Sequence, residues 1–125
     1  MLKKRNASAE GTQRFVSRMR QEFSTYNQTS YRYLNGTDLM VSKVGYGSYR
    51  VDQQVDEHIE SLEDSIRSGC NIIDTSSNYT NGASECLIGS ALTKMINQGG
   101  VERDEIILVS KTGYIQGDNL DQAIK

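Results

Sequence analysis

Three side chains whose types suit proton transfer stand at the ends of short apolar runs. One run stops at Asp74, with Tyr79 five residues later, and a second run stops at Lys111. A free phenol has a pKa of about 10 and donates a proton poorly near neutrality, but a nearby ammonium favours the ionised phenol. A carboxylate paired with that ammonium holds its geometry. Such a trio suits a general acid that protonates a carbonyl oxygen while a hydride adds to the carbon.

Each residue also has a purely structural explanation. Asp74 could cap a turn, Lys111 could be a solvated strand end, and Tyr79 could pack over the end of a sheet. However, active sites of α/β folds lie at the carboxyl ends of the strands. Another strand-like run ends there in Gly47-Ser48-Tyr49. Polar residues at the same end of consecutive strands therefore favour a functional site.

The composition is that of an ordinary soluble globular protein. The chain has 125 residues, 36% of them hydrophobic and 24% charged, with a formal net charge of −2. It has neither the charge excess typical of nucleic-acid or membrane-surface binding nor an apolar run near the roughly 20 residues that span a bilayer. Cys70 and Cys86 lack metal or disulfide-scaffold spacing, which indicates reduced thiols in a cytoplasmic compartment. His58 is the only histidine, so we expect no His-rich metal site.

Residues 1–30 form a basic segment that differs from the rest of the chain. Its apolar residues recur at helical spacing and predict an amphipathic helix. Two interpretations remain: a helix docked on the domain, or a mitochondrial transit peptide. Glu10 and Glu22 favour the docked helix, because transit peptides contain few acids. The apolar residues are Phe15, Val16, Met19 and Phe23.

From residue 31 onward the pattern is that of strands and helices in alternation. Asn35-Gly36 between two strand-like runs predicts a type I′ hairpin. A strand at "KVGYGSYRV" precedes a helix over residues 54–68, which we expect Asp56 to cap and Gly69 to end. The strand "NIID" follows.

A second helix and a further strand complete the alternation. We expect the helix to follow Asn81-Gly82, with Ser84 as its cap and Gly99-Gly100 at its end. "EIILVSK" predicts a buried strand, and "DNLDQAIK" predicts the start of a third helix. Continuous apolar strands between amphipathic helices indicate a parallel sheet. Because both edges of such a small sheet would be open, we expect the chain to be the first part of a larger fold.

The sequence resembles the aldo-keto reductases over residues 31–117. The resemblance rests on "VSKVGYGSYRV", "GCNIIDTSSNYTNGASECLIGSAL" and "DEIILVSKTGY", and "AEGTQRF" resembles an extension that precedes the hairpin in some members. It implies a partial (β/α)8 TIM barrel with an N-terminal β-hairpin, truncated after about strand 3. Residues 1–30 would be the partly helical N-terminal extension and residues 31–125 the N-terminal part of the barrel.

The resemblance also implies an activity and a site. Asp74, Tyr79 and Lys111 match three residues of the family's catalytic tetrad, whose fourth member is a histidine after the fourth strand. Gly47, Ser48 and Tyr49, together with Asp74, match the segment that touches the nicotinamide end of NADPH.

The implied function is NAD(P)H-dependent reduction of small aldehydes or ketones to alcohols, with residues 1–125 inactive alone. The alternative is a cofactor-binding regulatory subunit on the same fold, similar to potassium channel β subunits. We expect no metal, nucleic-acid or membrane partner.

Overall fold

The structure is a computed structural model that describes residues 6–112. In this part of the chain, no helix combines the length and the apolar composition needed to cross a membrane. The third helix predicted at residues 118–125 lies outside the described residues. Helices and strands follow in the order α1 (Ala9–Glu22), β1 (Tyr31–Tyr33), β2 (Met40–Ser42), β3 (Tyr46–Gly47), α2 (Asp56–Arg67), β4 (Ile72–Asp74), α3 (Ala83–Asn97) and β5 (Ile107–Val109).

Strands β3, β4 and β5 form a parallel sheet in that order. Ile73 in the central strand lies opposite Tyr46 on one side and Leu108 on the other, and it is 0% exposed. Helix α2 connects β3 to β4 and α3 connects β4 to β5, and the buried faces of both helices join Ile73 in one core. The predicted parallel α/β arrangement is confirmed, while residues 6–112 form no closed barrel.

The hairpin is present, but its predicted turn type is wrong. A type I′ turn needs positive φ at both central residues. Gly36 has a φ of +77°, whereas the φ of Asn35 is not positive. The N–H of Leu34 donates to the carbonyl of Leu39, which shows that the loop is longer than a two-residue turn. The hydroxyl of Thr37 donates to Leu34 at 2.8 Å and accepts from the N–H of Leu39 at 3.1 Å, which closes the longer loop.

Both predicted helix caps are also wrong. Helix α3 begins at Ala83 because Gly82, with a φ of +90°, ends the preceding turn, so Ser84 lies inside the helix. Helix α2 begins at Asp56 itself, and Val55 in the cap position makes no side-chain hydrogen bond. Asp56 still favours the helix, because an acid in the first turn interacts well with the helix dipole.

The helix ends follow the sequence prediction. Helix α2 ends at Arg67, two residues before Gly69, and α3 ends at Asn97, two residues before Gly99. These glycines have φ values of +108° and +77°, a region that residues with a Cβ rarely adopt. Their lack of a side chain therefore allows the chain to leave each helix and enter the next strand.

Helix α1 packs its apolar face into the same core as α2 and α3. Phe15, Val16 and Met19 are each at most 4% exposed and belong to the main hydrophobic cluster. The hydroxyl of Thr12 accepts a hydrogen bond from the N–H of Met40 in β2 at 3.0 Å. Helix α1 is therefore docked on the domain beside the hairpin, as the sequence favoured.

Ion pairs with buried acids also hold α1 in place. Asp104 and Glu105, in a one-turn helix before β5, are each 1% exposed. Arg14 of α1 lies 2.5 Å from the Asp104 carboxylate, and Arg18 lies 2.6 Å from that of Glu105. Buried charges are costly unless they are paired, so these arginines make the position of α1 specific.

Two glycines on helices provide a matched test of this docking. A methyl group at Gly11 would overlap the main-chain carbonyl of Asp104, whereas one at Gly89 on α3 would meet nothing within 4 Å. We expect Gly11→Ala to lower the free energy of unfolding by about 1–3 kcal/mol. Gly89→Ala should raise it by about 0.5–1 kcal/mol, because alanine is the better helix former.

Urea unfolding followed by circular dichroism measures both effects. Unchanged stability in Gly11→Ala would show that the close approach of α1 to Asp104 is incorrect, and a loss of stability in Gly89→Ala would show that the space beside Gly89 is not open.

Candidate active site at the carboxyl ends of the strands

Asp74 and Lys111 form an ion pair just beyond the ends of β4 and β5. The ammonium Nζ of Lys111 lies 3.0 Å and 3.1 Å from the two carboxylate oxygens of Asp74. It also donates to the main-chain carbonyl of Thr75 at 3.0 Å. Because the two side chains are 46% and 53% exposed, the pair contributes little stability. Its main effect is to fix the orientation of both groups.

The ring of Tyr79 lies beside this ion pair. Nζ of Lys111 is 5.0 Å from the centroid of that ring. On another side, the ring of Tyr49 packs edge-on at a centroid distance of 5.1 Å and an interplanar angle of 89°. The structure thus brings the three predicted catalytic residues, Asp74, Tyr79 and Lys111, to one edge of the sheet, which we call the rim.

The carboxylate of Asp74 and, after it, the phenol of Tyr79 raise the pKa of Lys111, because both favour its protonated form. A raised pKa keeps this lysine protonated throughout the neutral range. The rim therefore places the phenol of Tyr79 beside a fixed positive charge.

The other predicted residues lie at or below the rim. Gly47 pairs with Asp74 in the sheet register, and a Cβ at Gly47 would meet nothing within 4 Å. Tyr49 is 64% exposed. Ser48 is fully buried, and its N–H and its hydroxyl both donate to the main-chain carbonyl of Asp74, at 3.1 Å and 2.7 Å. Open space beside Gly47 and an exposed flat ring suit a planar aromatic ligand.

The hairpin lies at the opposite end of the sheet. Asn71 immediately precedes β4 and is fully buried. Its side-chain oxygen accepts from the N–H of Ser42, and its side-chain nitrogen donates to the carbonyl of Met40. The hairpin therefore covers the amino ends of the strands and leaves the rim open.

The loop that carries Tyr79 is tied to the end of β5. The hydroxyl of Ser76, which is fully buried, donates to the main-chain carbonyl of Lys111 at 2.9 Å. Just after Tyr79, Thr80 and Asn81 have φ values of 50° and 53°. Such left-handed residues cost about 1–3 kcal/mol each and are concentrated at functional sites. The residue types and spacing gave no reason to select Ser76, whose one signal in the sequence is its place within "DTSSNY".

The part of the chain that carries the rim matches the model of one known protein family. A model of the aldo/keto reductase family matches residues 43–124. The chain belongs to the aldo/keto reductase family. The match begins directly after β2 and includes Asp74, Tyr79 and Lys111, so the rim lies within the part of the chain that the family shares.

Individual aldo/keto reductases are similar to the same part of the chain. The NAD(P)H-dependent D-xylose reductase of Scheffersomyces stipitis is 34% identical over 83 residues, which cover 65% of this chain and 24% of that protein. The NADH-specific methylglyoxal reductase of Escherichia coli is 28% identical over 92 residues, covering 66% and 26%. The chain spans about a quarter of the length of these curated relatives.

A solved aldo/keto reductase has a similar structure. The holo form of aldo-keto reductase AKR11C1 from Bacillus halodurans aligns with a TM-score of 0.56 and 29% identity. The alignment covers 70% of this chain and 27% of that one. The structural alignment therefore covers about the same share of each chain as the two sequence alignments do.

His58 does not take part in the rim. It lies on α2, and its Nδ1 accepts a hydrogen bond from the N–H of Asp52 at 2.9 Å. The histidine of the aldo/keto reductase tetrad thus has no counterpart among residues 6–112. Within the same residues, no group of three or more His, Cys, Asp or Glu side chains is placed to hold a metal ion.

Proposed function

We propose that this chain contributes the proton-donating part of an active site that reduces aldehydes or ketones to alcohols with a nicotinamide cofactor. The observation that carries the proposal is the Asp74–Lys111 ion pair beside the Tyr79 phenol at the rim. Family membership supports it, since two relatives are named as reductases of D-xylose and methylglyoxal, which are carbonyl compounds.

In the proposed reaction Tyr79 is the general acid. Its hydroxyl donates a hydrogen bond to the carbonyl oxygen and transfers the proton as negative charge develops there. The phenolate left behind is stabilised by the ammonium of Lys111, and Asp74 keeps that ammonium in place. Because the rim is exposed, water can return the proton to Tyr79 after the alcohol has formed.

The proposed cofactor is NADPH, with NADH as the variant to be assayed beside it, because the relatives' names include both forms. When bound, the reduced nicotinamide supplies a hydride to the carbonyl carbon. Gly47, Tyr49 and Asp74 would hold its nicotinamide end at the rim. Ser48 would support them from beneath through its two hydrogen bonds to Asp74.

We also propose that β3, β4 and β5 are the first three strands of an eight-stranded barrel whose lower end the hairpin closes. The apolar side chains of Leu108 and Val109 in β5 are 37% and 39% exposed, and further strands would cover them. A barrel of this kind needs about 250 residues. On this proposal residues 1–30 are an extension, residues 31–125 belong to the barrel, and residues 1–125 have no reductase activity alone.

The test is reductase activity of the complete protein that contains this chain. We expect it to consume NADPH or NADH in the presence of methylglyoxal, D-xylose or a simple aldehyde, and to form one alcohol per cofactor oxidised. A protein that binds neither cofactor and reduces no carbonyl compound would exclude the proposal. Tight cofactor binding without turnover would favour the regulatory, channel-subunit-like alternative.

A further inference from the structure

A chain of buried hydroxyl groups lies directly beneath the rim. The hydroxyl of Ser84, in the first turn of α3, lies 2.8 Å from the hydroxyl of Thr75 and donates to the main-chain carbonyl of Ser48 at 3.1 Å. Ser48 and Ser84 are 0% exposed and Thr75 is 4% exposed. We call these three residues the Ser84 chain.

The direction of the hydrogen bonds in the Ser84 chain follows from counting protons. A serine hydroxyl has one proton to donate. Since Ser84 directs its proton to the carbonyl of Ser48, the hydroxyl of Thr75 must donate to Ser84. The order is therefore Thr75 to Ser84 to Ser48, and successive bonds of this kind strengthen one another.

Each end of the Ser84 chain holds a residue of the candidate site. At one end, Ser48 donates twice to the main-chain carbonyl of Asp74. At the other end, the carbonyl of Thr75 accepts from Nζ of Lys111, and the N–H of Thr75 donates to the carbonyl of Val109 at 2.8 Å. The hydroxyl of Ser84 thus connects the end of β3 with the end of β4. Thr75 extends this connection to the end of β5.

We propose that Ser84 is a positioning residue that sets the geometry of Asp74 and Lys111. Both of these side chains are about half exposed, so their positions depend on the main chain beneath them. Helix α3 is anchored by the buried side chains of Leu87 and Ala91, which gives Ser84 a rigid base. The catalytic consequence rests on the function proposed above.

The structure offers no equivalent substitute for the Ser84 hydroxyl. Without it, the carbonyl of Ser48 keeps only the N–H of Val51, at 3.4 Å, among the partners described. The buried hydroxyl of Thr75 would lose its acceptor. A small displacement of catalytic groups can lower turnover by about 10²-fold.

Four variants of the complete protein test the proposal. Ser84→Ala and Thr75→Val each remove one hydroxyl, and Thr75→Ser keeps the hydroxyl while removing a methyl group. Ser65→Ala is the matched control, because the Ser65 hydroxyl also donates to a main-chain carbonyl, that of Ser61, but within α2. The measurements are kcat, the cofactor Kd, the melting temperature and the side-chain nitrogen NMR signal of Lys111.

We expect Ser84→Ala and Thr75→Val to lower kcat by about 10–100-fold while the cofactor Kd stays unchanged. The double variant should lose no more than the larger single loss, since both residues act through one chain. Thr75→Ser and Ser65→Ala should retain wild-type kcat. The Lys111 ammonium signal should broaden only in the variants that interrupt the Ser84 chain.

The results that contradict these expectations distinguish a stabilising role of Ser84 from a failure of the proposed function. A lower melting temperature with normal kcat and an unchanged Lys111 signal in Ser84→Ala and Thr75→Val would overturn the proposal and leave a stabilising role. If Ser84→Ala does not fold, Thr75→Val and Thr75→Ser decide the question. An inactive wild-type protein would exclude the proposed function, and the Lys111 signal would still decide whether Ser84 positions the ion pair.

Discussion

Turnover in the Tyr79→Phe variant is expected to fall by about 10²–10⁴-fold, the usual effect of removing a positioned proton donor. The substitution removes only the hydroxyl. The phenylalanine ring can keep the edge-on contact with Tyr49 and the position beside Lys111. The cofactor Kd should therefore stay near the wild-type value, because the hydroxyl acts on the substrate oxygen. The measurements are steady-state NADPH oxidation with an aldehyde and a fluorescence titration of the cofactor, both on the complete protein.

Tyr33→Phe provides the matched control for this prediction. Tyr33 lies on the hairpin, at the opposite end of the sheet, and its side chain is 54% exposed. Loss of that hydroxyl should leave turnover unchanged. Near-normal turnover in Tyr79→Phe would exclude Tyr79 as the general acid. Lost cofactor binding with normal chemistry would instead indicate a structural role for the ring.

Turnover in Lys111→Met is expected to fall by about 10²–10³-fold, the effect of removing one preorganised group that stabilises charge in the transition state. Methionine keeps the unbranched side chain and removes the ammonium. The variant loses the hydrogen bonds to Asp74 and to the carbonyl of Thr75. It also loses the positive charge that lies beside the Tyr79 ring. The assay is steady-state kcat with saturating cofactor and aldehyde.

Lys43→Met tests whether the effect depends on location. Lys43 is exposed and lies between β2 and β3, at the amino end of the sheet. The Lys43→Met variant loses the same positive charge, but Lys43 does not contact the rim. The kcat of this variant should therefore equal that of the wild type. If both lysine variants lose turnover to the same extent, the loss comes from net charge and the role assigned to Lys111 is wrong.

The sequence predicted the parallel strands because their signal is local. Runs such as "NIID" and "EIILV" are too short and too apolar to be anything except strands, and the helices between them carry apolar residues at helical spacing. The predicted burial is wrong for part of the last strand, because Leu108 and Val109 are 37% and 39% exposed. Glycines at the ends of α2 and α3 were read correctly for the same reason, since a positive φ is a property of one residue. The approximate position of Asp74 and Lys111 at one edge followed from strand direction alone.

Details that depend on contacts between distant segments were not predicted. The hairpin loop is longer than Asn35-Gly36 suggested, because Thr37 supplies the hydrogen bonds that close it. Ser84 was predicted as a cap from its position before a helical pattern. Its hydroxyl instead bonds Thr75 and Ser48, which lie 9 and 36 residues away in sequence.

The sequence by itself thus determined the strand order along the chain, the helices, the family resemblance and the identity of the polar residues at the strand ends. Only the tertiary structure decided that Asp74 and Lys111 pair through both carboxylate oxygens, and that Ser48 lies beneath the rim. The physical reason is that residue type and spacing specify which groups each element presents. Hydrogen-bond partners depend on distances between elements, and those are set by how α1, α3 and the sheet pack into one core.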